Sequence, residues 1–244
     1  MSSAKLKFDW SRLDRNSLYS FMLSIGQDIV KKELTIKKFH SKVSRHLKTH
    51  LPVRVVKLMD TKVESGIVYV GGVYYCDADQ ERQKCIEVVL VYNPGDAVIN
   101  MSRLRFSRLS MCIADTILHE IIHMRQYRRR RFKVLPEYAS TAEKTEQRQE
   151  QSYLGCTDEI DAFAFNIACD LVARHGDDDR MIVQHLNEHQ RNKRRRYDCW
   201  RMYLKAFNHD HDHIIIKRLK KRVIRYLPAA RTGKPYRNKD WINR

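Results

Sequence analysis

The chain is 244 residues long and 43% hydrophobic, with 47 Lys or Arg against 29 Asp or Glu and a formal net charge of +18. That length can bury one good core with a helical appendage, and no stretch approaches the ~20 uninterrupted apolar residues of a membrane span. The first ten residues hold no apolar signal core and the six cysteines form no Cys-x-x-Cys pair, so reduced thiols in a cytoplasmic compartment are expected, with Cys112 and Cys169 as small buried hydrophobes.

In chain order, residues 9–49 read as helical, with Leu13, Leu18, Phe21, Met22, Ile25, Ile29 and Val30 forming a core-facing stripe. Three stretches rich in β-branched and aromatic residues follow, at 53–58, 66–75 and 85–92, and read as strands of a small sheet. Asp77 to Glu81 is a polar connection, and Asn93-Pro94-Gly95-Asp96 ends the last strand. A long helix is predicted over 103–131 and a second over 157–175, the latter with Thr157 as N-cap and Gly176 at its C-terminal stop. Between them, Glu137 to Gln151 is polar and acidic and suits an outer helix or lid. Two or three basic helices reach Tyr226, with a loose tail from Pro228. The fold class expected is α+β, divided into an N-terminal helical segment (1–50), a core (51–176) and a basic helical region (177–244).

Chemistry concentrates at His119-Glu120-Ile121-Ile122-His123. Two histidines four apart stand one above the other on a helix, so both imidazoles can reach one tetrahedral Zn²⁺. Glu120 then lies beside the water that such a metal would activate and can take its proton. Ile113, Ala114, Ile117, Leu118, Ile121 and Ile122 make the opposite face apolar. A tetrahedral site needs a further protein ligand, and the second helix offers Asp158, Glu159 and Asp161. Glu159 is favoured because it shares its strip with Ala162 and Asn166, small enough for two helices to approach; Asp161, nearer the apolar stripe, is the alternative.

HExxH followed by a second helix with glutamate resembles the gluzincin-type zinc metallopeptidases. Glu159, Ala162 and Phe165 are similar to the Glu-x-x-Ala-x-x-Phe run of the ImmA/IrrE family and of related phage-encoded metallopeptidases, over roughly Ile86 to Arg174. The resemblance implies a zincin-like fold with a small sheet packed on the HExxH helix, Zn²⁺ held by His119, His123 and Glu159, and Glu120 as general base. It also implies a sheet edge that receives the substrate backbone, for which Val88 to Tyr92 is the candidate. Phe163 stands where thermolysin-like enzymes carry an acid, and no Gly-x-x-His follows His123. SprT-like proteases also join HExxH to DNA binding, with a downstream histidine as third ligand; His175 is the only fair counterpart. An oxyanion would need a donor besides the metal, for which Tyr153 is the first candidate, ahead of Tyr138 and His175.

Charge separates the ends of the chain. From Arg180 to Arg244, 19 Lys or Arg stand against 5 Asp or Glu, while from Pro136 to Asp179 the balance is 3 against 11. The basic runs at 128–131, 193–196 and 217–222 suit a polyanion, nucleic acid first, or neutralise the acidic segment of the chain itself. Trp200, Tyr203, Leu204 and Phe207 fall at helical spacing and read as packing rather than base stacking, and the histidines outside the motif, His185 and His189 included, are expected to be solvated. The sequence therefore sets two functions side by side: a zinc metalloendopeptidase acting on protein or peptide substrates, some of them associated with nucleic acid, and a basic nucleic-acid-binding or assembly protein on the same scaffold.

Overall fold

A computed structural model describes residues 9–135, 145–188 and 198–235. The chain folds as two units, residues 1–128 and 129–244. The predicted segments at 136–144 and 193–196, with Tyr138, His189 and the tail from 236, lie outside the described residues.

The first unit is organised by one strand. In β4 (Ile86–Tyr92), Ile86, Val88, Leu90 and Tyr92 are fully buried and alternate with half-buried residues. β2 (Val53–Met59) pairs parallel on one side of it and β3 (Val68–Tyr74) antiparallel on the other, giving the order β2-β4-β3. The three predicted strands are therefore present, but Val88 to Tyr92 is central and not an edge. Its near-continuous apolar run is the mark of a strand covered on both sides. β3, with Gly71 and Gly72 and with Tyr69 and Val73 exposed, forms an edge.

The expected long N-terminal helix is broken into a 3-10 turn (Trp10–Arg12), α1 (Arg15–Leu23), α2 (Gly26–Ile29), β1 (Glu33–Thr35) and α3 (Ile36–His50). Lys31 takes a positive φ of 59° and turns the chain. β1 then pairs antiparallel with β5 (Val98–Asn100), burying Leu34 opposite Ile99. That partner lies 65 residues downstream, out of reach of any local periodicity. The polar connection is itself helical, α4 (Cys76–Gln80).

The predicted site helix is α5 (Arg103–Arg129). Its apolar stripe, Ile113, Ala114, Ile117, Leu118, Ile121 and Ile122, is buried. Buried Arg15 at the start of α1 grips Asp115 with two hydrogen bonds of 2.6 and 2.8 Å. Cys112, expected to be buried, is exposed, because it falls one position off the stripe.

The second unit comprises α6 (Glu146–Gly155), α7 (Thr157–His175), α8 (Asp179–Asn187), α9 (Cys199–Ala206) and α10 (Ile214–Thr232). α7 packs Ile160, Ala164, Ile167 and Leu171 in a core shared with Ile216, Leu219, Val223 and Leu227 of α10. Cys156, not Thr157, is the N-cap of α7; the Thr157 hydroxyl instead accepts from Arg218 at 3.0 Å. Gly176 closes the helix at a φ of 62°, as its position predicts. Trp200, Tyr203, Leu204 and Phe207 are buried packing. α10 does not stop at Pro228 but runs through it to Thr232, since Leu227 and Ala230 are buried on either side, and Gly233 ends it in the left-handed region. Among the described residues, no helix is long and apolar enough to cross a membrane.

Candidate metal centre

Five carboxylate and imidazole side chains are buried in the two predicted site helices: His119 at 6% exposure, Glu120 at 5%, His123 at 7%, Asp158 at 3% and Glu159 at 4%. Burying a charged group costs several kcal/mol unless it is paired or coordinates a metal, so such a concentration demands a use.

One helical turn brings the Nε2 atoms of His119 and His123 to 3.0 Å from each other, with the rings edge to face. Two nitrogens bonded to one tetrahedral zinc at 2.0–2.1 Å would stand about 3.3 Å apart, close to that spacing. The other nitrogen of His123, Nδ1, lies 2.9 Å from Gln126 Oε1. Because an amide oxygen only accepts, the Nδ1 proton is held there and Nε2 is left with a lone pair for a metal. His119, His123 and Glu159 each offer a ligand atom, and these atoms all lie within 4.8 Å of one another. The donor set of two imidazoles and one carboxylate fits a divalent ion such as zinc.

The competing carboxylates are engaged elsewhere. Asp158 accepts two hydrogen bonds of 2.6 Å from Arg130, and Asp161 lies 3.4 Å from Arg222. His175 stands sixteen residues beyond Glu159 on α7, about 24 Å along the axis at 1.5 Å per residue. There its Nε2 meets His185 Nδ1 at 3.2 Å, so it is no third ligand. His185 itself is buried, not solvated as expected, because it falls on the inner face of α8 with Ile182.

Glu120 faces the sheet. A Cβ added to Gly72 would lie 2.5 Å from Glu120 Oε1 and 2.6 Å from Thr116 Cγ2, so β3 crosses α5 at the one residue small enough to leave the carboxylate its place. Past this crossing, Asp79 of α4 is clasped by Arg128 (Nε to Oδ2, 2.7 Å) and accepts from the Tyr74 hydroxyl at 2.8 Å. Burial first, and then the Asp79 carboxylate, raise the Tyr74 phenol above its ordinary value and push the Cys85 thiol up to about 12. This cluster pins the last turn of α5 to the end of β3.

Tyr153 lies in the last turn of α6, 46% exposed. Near Glu159 the structure adds a tyrosine that the spacing did not single out. Tyr203 of α9 is fully buried and donates to Leu154 O at 3.0 Å, and burial, with the Glu159 charge next in weight, raises its phenol. Gly72 and Gln126 were likewise legible only in part: a glycine inside a strand signals close approach, and Gln126 stands one turn after His123.

Several arginines among the described residues are paired with acids of their own unit. Arg174 meets Asp198 at 2.9 Å, and Arg231 meets Asp177 and Asp179 at 2.7 and 2.6 Å, in addition to the Arg128, Arg130 and Arg222 pairs. Compared with protein-family models, with curated proteins and with solved structures, the chain matches none.

Proposed function

We propose that the chain is a metal-dependent peptidase, with His119, His123 and Glu159 as the ligands of a zinc ion. The observation that carries this reading is the grouping of three buried donor atoms, two of them four residues apart beside Glu120. Zinc held there would supply a Lewis acid that makes water nucleophilic near neutral pH. Glu120 takes the proton of the attacking water and returns it to the leaving amine. Its position against Gly72 keeps the carboxylate from turning away. β3, not β4, is the strand whose edge pairs with the substrate backbone, because it is the edge strand that crosses Glu120. Tyr153, with its half-exposed side chain, donates to the carbonyl oxygen as charge develops on it. The substrate is a protein or peptide segment able to lie extended along that edge.

The test is direct. The purified full chain should carry one zinc per molecule and hydrolyse a pool of quenched fluorescent peptides. Glu120→Gln should keep the zinc and lose hydrolysis, whereas Glu159→Ala should lose the metal and Asp161→Ala should not. A chain that binds no divalent ion, or a Glu120→Gln variant that still cleaves, overturns the reading.

A further inference from the structure

In the first unit, residues 35–59 contain seven Lys or Arg and no Asp or Glu. They form α3, the connection after it and β2, and between these two elements lies a cavity of about 500 Å³. Lys37, Arg45 and Lys48 from one strip of α3 and Lys57 from β2 line it. Among the described residues, none of these four cations meets a carboxylate within 4.0 Å, unlike Arg130, Arg174, Arg222 and Arg231 in the second unit. Ser41 and Ser44 line the same wall, and among the described residues neither hydroxyl has a hydrogen-bond partner, although Ser44 is only 8% exposed. The cavity thus presents four positive charges and two unengaged hydroxyls to whatever enters it.

We propose that this cavity binds the phosphate backbone of a nucleic acid. Lys37 and Lys48 are eleven residues apart on α3, about 16 Å along the axis. A strip of that length runs beside several consecutive phosphates of one strand, which rises about 3.4 Å per phosphate, rather than closing on a single small anion. Lys, Arg and Ser are the side chains that commonly contact phosphate oxygens, and the wall holds no Phe, Tyr or Trp on which a base could stack. Its one ring is the His40 imidazole, and it holds no large apolar side chain to enter a lipid surface. The contact is therefore with the backbone and indifferent to sequence. Burial, and then the charges of Lys48 and Lys57, lower the pKa of His40 on the same wall, which keeps its imidazole neutral and the positive field that of the four cations.

Fluorescence anisotropy of a short labelled DNA duplex, with the full chain titrated over a series of salt concentrations, tests this. The variant Lys37→Gln/Lys48→Gln/Lys57→Gln removes three charges from exposed positions, and Lys217→Gln/Lys221→Gln/Arg225→Gln removes the same number from α10. The first should bind at least about tenfold more weakly and flatten the plot of log K against log salt by about 2.7, at 0.9 per lost phosphate contact. The second should bind within about twofold of the parent. Equal losses in the two triple variants overturn the proposal. So does a parent that ignores DNA while binding pyrophosphate, polyglutamate or phosphatidylserine vesicles, which would make the ligand a small phosphate, an acidic protein or a membrane.

Discussion

Gly72 and Glu120 leave no room for a methyl group between them: a Cβ on the glycine would stand 2.5 Å from Oε1. Gly72→Ala must therefore push the Glu120 carboxylate aside or move β3 off α5. Overpacking of this kind costs about 1–3 kcal/mol, read as a lowered urea midpoint. Peptide hydrolysis should fall by at least about tenfold, since proton transfer contributes at least that much. Zinc content should stay at one per chain, because neither imidazole is touched. Full activity in Gly72→Ala would show that the general base lies elsewhere.

Gln126 orients His123 through a 2.9 Å hydrogen bond to Nδ1. Partners of this kind commonly contribute 10–100-fold to metal affinity. Gln126→Ala should weaken zinc binding by about that factor in competition with a chromophoric chelator, with unfolding in the metal-free state little changed. Gln126→Glu, which still accepts from Nδ1, should restore it. Equal zinc affinity in Gln126→Ala would remove the orienting role.

The parts of the fold legible in sequence were those with a local period. The two site helices, the three strands, and the caution over Trp200 and Tyr203 all rest on spacing within about ten residues. What escaped was set by distant partners. β1 exists because Leu34 meets Ile99, and β4 is central because β2 and β3 flank it. Pro228 stays helical because its neighbours are buried. The sequence favours Glu159 through its small neighbours Ala162 and Asn166, but the pairing of Asp158 with Arg130 and of Asp161 with Arg222 could not be read there. Charge counts pointed to the C-terminal runs as a polyanion surface; among the described residues there, Lys217, Arg222 and Arg231 meet acids of the same unit.

The pair of Arg130 and Asp158 sits directly beside Glu159, with the carboxylate side chain 4% exposed and the guanidinium 22%. Removing one partner of such a pair strands a buried charge, at a cost of about 3–5 kcal/mol. Arg130→Ala should lower the urea midpoint accordingly, and Arg130→Met/Asp158→Leu should recover most of the loss. If the single variant unfolds like the parent, the pair does not anchor the first turn of α7.

His185 gives the second unit a pH dependence. Burial, then the charges of Arg174 and His175, hold its pKa below the ordinary 6.5, against the opposing pull of Asp198 and Glu188. In the unfolded chain the imidazole takes its proton at the ordinary value, so between that pH and the lowered folded value the unfolded state binds more protons. Stability contributed by neutral His185 is thus complete above 6.5 and is lost as the pH falls through the folded pKa. Urea midpoints measured from neutral pH downward should fall through this window and fall less steeply in His185→Gln. His40, whose pKa is also lowered by burial, adds a share of the same sign in the first unit, so His40→Gln/His185→Gln should be flatter still. A parental slope in His185→Gln would mean that the imidazole is protonated, or exposed, in the folded protein.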